Sequence, residues 1–471
     1  RDGRGGGFFA PAAGPEEGPV AGKGRIGPRP ALPIMRRPSP WLLGMTFSGC
    51  RNVVETGTFL QVVRSSRRIK RTTLWLIAAA PLVLGASFPN PTKTRSVTFA
   101  RDIYPLIERK CVSCHRPGGS APFSLQTYQQ VRGGGDLVGT MVLTRSMPPC
   151  YGKSDFGEFC EGGGHFTDEE AVLLQDWLRQ GKPEGPERVY DESAAPDWRL
   201  GKPDAVVRPL KPGQVETEGR PYWTVYVIPL EKLKGRRLKA FDVRPLTPLA
   251  VRGATLGLAR DGLAEAPRGI TGYRSGGFLE RDAAKLLGTW APGYRAWQLP
   301  RGASMALDRD ALVLQVLYQP RGKPEDAQVE VGLYFSTNRG DREPSWLTLQ
   351  REDFTVPAPG NLIVHESGSL RPGTRVLGVI PEARFYCSSI SLTANGREVY
   401  HSVRWMPYWP GSFSFAEPVE FPEGAQLDAQ WMFDNDIHMG QNEGTRPRPI
   451  QSGPRERDEA ARIHILTLGP R

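Results

Sequence analysis

The 471-residue chain is poor in the side chains that usually assemble metal and nucleophilic centres: it has six histidines, six cysteines and eight methionines. Past residue 198 only His365, His401, His438 and His464 occur, none within three residues of another, so a centre that needs converging imidazoles has little to draw on there. A Gly-x-Ser-x-Gly elbow, a phosphate-binding glycine loop and a His-Glu-x-x-His helix are all missing, which removes the hydrolase and nucleotide chemistries most readable from sequence. A basic surface is missing as well, although the net charge is +11. Residues 1–96 hold 15 of the 61 Lys and Arg and 4 of the 50 Asp and Glu, which leaves 46 of each sign afterwards. The excess therefore lies in a leader, and no nucleic-acid partner is expected.

What is present is the composition of an ordinary globular protein, 39% apolar and 24% charged, long enough for two or three domains. Residues 1–62 are rich in Gly, Pro and Arg without apolar periodicity and read as a disordered or upstream extension. Within them Phe47-Ser48-Gly49-Cys50 faintly resembles a lipoprotein cleavage box, after a short and broken apolar run. Residues 63–88 read as a signal peptide. Arg67-Arg68-Ile69-Lys70-Arg71 is its basic start, residues 74–84 are its apolar stretch and Gly85-Ala86-Ser87 offers small residues for cleavage. The uncharged run over 72–92 leaves an uncleaved membrane anchor as the alternative. In either case the remainder is expected to be exported, to the periplasm or the extracellular space.

The most specific stretch is Cys111-Val112-Ser113-Cys114-His115. Two thiols two residues apart can each add to one vinyl group of a single porphyrin, and the adjoining histidine is placed to ligate the iron, so the run reads as a covalent attachment site for one haem c. Zinc would need a fourth ligand, with Cys150, Cys160 and His165 the nearest in sequence. A redox dithiol would have no use for the histidine and would open a helix after a strand.

Residues around the motif carry helical patterns. Phe99, Ile103, Leu106 and Ile107 recur at helical spacing ahead of it, with Pro105 predicting either a kink or a helix that starts close by. Further on, Thr167-Asp168-Glu169-Glu170 is a capping box, Ala171, Leu174, Trp177 and Leu178 make one apolar face, and Gly181 with Pro183 marks a stop. A second axial ligand is expected between the helices. Met147, before Pro148-Pro149, is the first candidate, with Met141 and His165 as alternatives. Cys150 and Cys160 could close a loop by a disulfide in an oxidising compartment, or remain two thiols.

The layout over 97–190 resembles a small all-α class I cytochrome c domain. More narrowly, Cys111 to His115 followed by Arg116-Pro117-Gly118, with Ala121-Pro122-Phe123-Ser124-Leu125, Arg145-Ser146-Met147-Pro148-Pro149 and Gly181-Lys182-Pro183-Glu184-Gly185, resembles the cytochrome c modules that precede copper type II ascorbate-dependent monooxygenase-like domains. From residue 198 short alternating runs with Gly and Pro turns do read as all-β, at 222–228, 238–243, 312–318, 329–335, 375–380, 385–392, 399–405, 425–433 and 463–468, with Asn395-Gly396 as a hairpin turn. The expected architecture is thus multidomain, the cytochrome c domain being followed by two antiparallel β-sandwich, jelly-roll-like domains over 198–345 and 346–471.

The resemblance implies one copper in each β domain, held mainly by histidine pairs. This chain departs from it at every matched position. After Arg244-Pro245 comes Arg252-Gly253 where a His-His pair is implied, Leu317-Tyr318-Gln319 stands where a His-Tyr-His run is implied, and Pro381-Glu382-Ala383-Arg384 stands for Pro-His-x-His. No methionine follows Met439, so copper is not expected, with His438-Met439 as the remaining candidate pair. Cys387 reads as a buried small residue, and Asp434 with Asp436 as a solvated turn ahead of a calcium site. The function expected is electron transfer through one haem, exchanged with a redox partner protein or small-molecule donor. The alternative is a haem-coupled copper monooxygenase.

Overall fold

A computed structural model describes residues 96–470 apart from 264–271, 277–281, 403, 437–441, 443, 444 and 456. The segments expected as a leader and as a signal peptide at 63–88, and the pair His438-Met439, lie outside the described residues. The chain divides into Arg1–Ser87 and Phe88–Arg471, and every described residue belongs to the second unit.

Three α-helices lie at the start of that unit. A wide π-type turn at Phe99–Ile103 leads into α1, Tyr104–Lys110. Pro105 falls in the first turn of α1, where its missing N–H leaves no bond unmade. The second helix, α2, spans Tyr128–Leu143 and opens on a capping box in which Thr127 accepts from the Gln130 N–H while the Gln130 side chain accepts from the Thr127 N–H. The third, α3, spans Asp168–Arg179 and opens the same way on Thr167 and Glu170. Helices α2 and α3 meet where glycines leave room. A Cβ on Gly139 would stand 2.4 Å from Leu178 Cδ1. Phe99 is fully buried at the centre of this packing, with the rings of Tyr104, Tyr128, Trp177 and Tyr190 all within 5.9 Å of its own.

The rest is antiparallel β. One five-stranded sheet runs Ala205–Val207, Val329–Phe335, Arg237–Pro245 and Trp297–Gln298, with Met305–Ala306 also on Arg237–Pro245. A second runs Tyr273–Ser275, Tyr222–Pro229, Ala311–Tyr318, Val251–Ala259 and Ala283–Trp290. These two share one core, Phe241, Val331 and Leu333 of the first packing in the same cluster as Tyr226, Leu256 and Leu314 of the second. A four-stranded sheet of Ser345–Arg351, Ala461–Leu468, Thr374–Glu382 and Phe413–Phe421 shares another core with a sheet of Asn361–Leu370, Ala425–Asp434, Cys387–Ala394 and Arg397–Ser402. Two short strand pairs complete the set. Asn395 and Gly396, at φ 50° and 78°, make the tight turn between the last two strands of the fourth sheet.

The expected fold class, a self-contained all-α cytochrome c domain ahead of two β-sandwich domains, is overturned. Among the described residues the chain is mainly β, with 22 strands in six small sheets against three α-helices, and no separate all-α body stands apart from them. The physical reason is the loop over 150–160. Lys153 and His401 exchange backbone hydrogen bonds of 2.8 and 2.9 Å, and the Asp155 N–H donates to Glu398 O at 2.9 Å, so the loop extends the edge strand Arg397–Ser402. Phe159, at 1% exposure, packs among Tyr400, Phe413 and Phe415 inside the core of the third and fourth sheets. Burying a ring of that size stabilises by roughly 1.5–3 kcal/mol, and here the gain depends on helical segment and sheets being one body.

Candidate functional site

Helix α1 runs directly into the cysteine motif. The Cys111 N–H still donates to Ile107 O at 2.8 Å, and Cys111 O then accepts from both the Cys114 N–H, 3.2 Å, and the His115 N–H, 2.9 Å. This single tight turn brings two thiols and an imidazole to one side of the chain. Its return path is equally tight: the Ala121 N–H donates to Cys114 O and the Leu125 N–H to His115 O, and a Cβ on Gly119 would lie 2.2 Å from Cys114 O, so only glycine fits there.

His115 is oriented by its neighbour. Its Nδ1 lies 3.0 Å from Phe123 O, and because a carbonyl only accepts, Nδ1 carries the proton and the lone pair is left on Nε2. Burial lowers the pKa of this imidazole, against the opposing effect of the Phe123 carbonyl, which keeps it neutral and able to ligate a metal. The Cys111 thiol is pushed up to about 12, first by burial, then by the Cys114 thiol beside it, with Lys110 acting the other way. Neither Cys111 nor Cys114 is held in a disulfide.

These groups open on a cleft of about 380 Å³. Cys111, Cys114, His115, Met141 and Met147 all line it. Its walls are largely apolar, with Leu125, Val138 and Val142 behind, and Phe123, Leu137 and Met147 left 44%, 51% and 40% exposed around it. Large apolar side chains held open to solvent around a concave surface are the mark of a ligand cleft rather than of an ordinary surface. Met141, in the last turn of α2, has its carbonyl oxygen accept from the N–H groups of both Ser146 and Met147, so the turn after the helix folds Met147 back against it.

Cys150 and Cys160 form a disulfide with Cα atoms 6.3 Å apart, and both line the same cleft. The β region closes the far side with Arg252, Gly293 and Trp409. Neither Arg252 nor Trp409 was singled out as a site residue by the sequence reading, because neither lies near the motif in the chain. His165 does not line the cleft; its imidazole is half-buried against Tyr151, and burial with surrounding Arg145, Lys153, Lys110 and Arg404 brings its pKa down to about 4.

The remaining candidates are scattered. Among the described residues no three His, Cys, Asp or Glu side chains gather as a metal site would require. His401 Nδ1 is 2.8 Å from Glu398 Oε1, and His464 Nδ1 is 2.9 Å from Thr348 Oγ1. Cys387 is buried in the core with its thiol toward Ser389 O, and the Asp436 N–H donates to Asp434 Oδ1 in a local turn. No helix among the described residues is long and apolar enough to cross a membrane.

Comparison with known proteins adds little. No family model and no curated protein matches the chain. Among solved structures it is similar to the major capsid protein P2 of bacteriophage PM2, with a TM-score of 0.22 and 10% identity over 56% of this chain and 97% of that one. A likeness that loose carries no argument about fold or function.

Proposed function

We propose that the protein carries one covalently attached haem c in the cleft beside α1 and serves as an exported electron-transfer protein. The observation that carries this reading is the convergence of Cys111, Cys114, His115 and Met147 on one apolar cleft. Each thiol would add its S–H across one vinyl group, forming a C–S bond and placing the hydrogen on the adjacent carbon, with no net oxidation. His115, through Nε2, and Met147, through its thioether, would be the residues that hold the iron. When bound, haem supplies a one-electron couple that needs no proton transfer.

The side chains of the cleft support that role in other ways. Leu125, Val138 and Val142 give the cleft an apolar wall, which would raise the potential of a haem held against it. The carbonyl of Phe123 fixes the ring of His115, so the ligand needs no reorganisation when the charge changes. The β region adds no converging donor set on its described residues, and it is read here as a scaffold that completes the cleft and meets the redox partner.

Metal analysis of the purified full chain, matured in an exporting host, tests the proposal. About one iron and no copper per chain, with a reversible one-electron wave in voltammetry, is the expected result. Stoichiometric copper would favour the haem-coupled monooxygenase instead, and absence of iron would end the haem reading.

A further inference from the structure

The β region contributes a charged group to the cleft whose state is unusual for this protein. Arg252 lies on the strand Val251–Ala259, is half-buried, and faces the same cleft as the two thiols. Its guanidinium carbon sits 5.4 Å from the centre of the Trp409 ring, and Trp409 is itself held by its Nε1 donating to Pro292 O at 3.2 Å. No carboxylate among the described residues pairs with Arg252. Other half-buried arginines of the β region are treated differently: Arg199 reaches Asp242 at 2.6 Å, and Arg244 reaches Glu330 at 2.7 Å. The other lysine or arginine lining the cleft, Lys110, is also satisfied, by Glu170 at 3.3 Å and His165 O at 3.1 Å.

A guanidinium withdrawn from water without an anion is costly, and the cost is recovered when a carboxylate arrives to accept its fork of N–H groups. The surrounding charge sharpens the point, because burial and then the cation Arg321 act against the charge on Arg252, with only the Cys114 thiol acting the other way. The cleft therefore offers an apolar body and, at its β wall, one cation that no described carboxylate pairs. The complementary ligand is a flat apolar molecule bearing an acidic arm.

We infer that Arg252 is the anchor for a carboxylate arm of the tetrapyrrole in the cleft, so that the β region takes part in holding the cofactor; this rests on the haem reading above. The stacking of Arg252 on Trp409 pre-orders the guanidinium, leaving its N–H groups for the acid. Porphyrin carboxylates are the arms that chemistry would recognise.

The test uses the full chain carrying Cys111→Ser with Cys114→Ser, so that binding is reversible, and two probes: mesoporphyrin, which has two carboxylates and no vinyl groups, and its dimethyl ester. Binding is followed by quenching of tryptophan fluorescence. The expected result is that the diacid binds this chain at least ~10-fold more tightly than the ester, that Arg252→Gln removes most of that difference while leaving the ester unchanged, and that Arg252→Lys retains part of it. Equal affinity for the two probes, or a preference unmoved by Arg252→Gln, overturns the inference while the haem reading stands. Failure of both probes to bind overturns both. The comparison of diacid with ester in the chain with native Arg252 decides the matter even if Arg252→Gln does not fold.

Discussion

Replacing Phe159 by alanine strikes the contact that makes the helical segment and the sheets one body. The ring is 1% exposed and lies 5.1–5.2 Å, centre to centre, from those of Phe415 and Phe413, with Tyr400 at 6.2 Å. Truncating a fully buried phenylalanine costs about 3–5 kcal/mol, since the transfer energy is lost and a cavity remains. That is on the order of 10²–10⁴ in the unfolding constant. Val189→Ala, at a position 95% exposed, is the control and should change stability by less than about 0.5 kcal/mol. Urea denaturation followed by tryptophan fluorescence and by far-ultraviolet dichroism gives the two midpoints. A single body predicts that both probes shift together to lower urea in Phe159→Ala, and that trypsin then cleaves the loop over 150–160 more readily. Were the helical segment a domain hung on a tether, the β signal would keep its midpoint, and that result would refute the reasoning.

Glu459 is 1% exposed, and burial pushes its carboxyl up to about 7 despite backbone N–H donors at Arg384, Tyr386 and Ala460. Because the folded-state pKa lies above the unfolded one, stability from this group is complete below about pH 4.3 and is lost as pH rises to about 7, by at most roughly 4 kcal/mol. Urea midpoints between pH 4 and 8 should therefore fall less in Glu459→Gln than in the parent, and identical slopes would contradict this. In α2, Gly133 has nothing within 4 Å of an added Cβ, whereas at Gly139 the tip of Leu178 would have to move. Gly133→Ala should gain about 0.5–1 kcal/mol in thermal unfolding and Gly139→Ala distinctly less. For the axial ligand, Met147→Ala should abolish the sulfur-to-iron absorption of the oxidised protein and admit added imidazole, while Met141→Ala leaves both unaltered; the converse would assign Met141.

The parts of the structure legible in sequence are those whose cause is local. Helix α3 is announced by Thr167 and Glu170, which bond each other's backbone three residues apart, and is ended by Gly181 at φ 84°. Strands such as Val329–Phe335 are dense in β-branched and aromatic residues. Helix α2 is hidden by Gly133, Gly134, Gly135 and Gly139, which weaken a helix pattern, although its Thr127 and Gln130 cap was available to find it. The strand Val251–Ala259 is masked in the same way by Gly253 and Gly257, and Asn361–Leu370 by outward-facing polar residues.

The motif side of the cleft was readable because Cys111, Cys114 and His115 are contiguous. Its opposite wall was not, because Arg252, Gly293 and Trp409 reach it only through the pairing of distant strands. The same holds for the fold-class correction. The loop over 150–160 joins the sheet through Lys153 and His401, 248 positions apart, and edge pairing of that kind leaves no periodic trace in either segment.

The most direct measurement is the mass of the denatured, acid-washed full chain after expression with haem maturation, beside Cys111→Ala with Cys114→Ala. The account predicts one haem retained through denaturation by the parent and none by the double variant. A parent chain with its unmodified mass, or a double variant that still holds haem covalently, would contradict it.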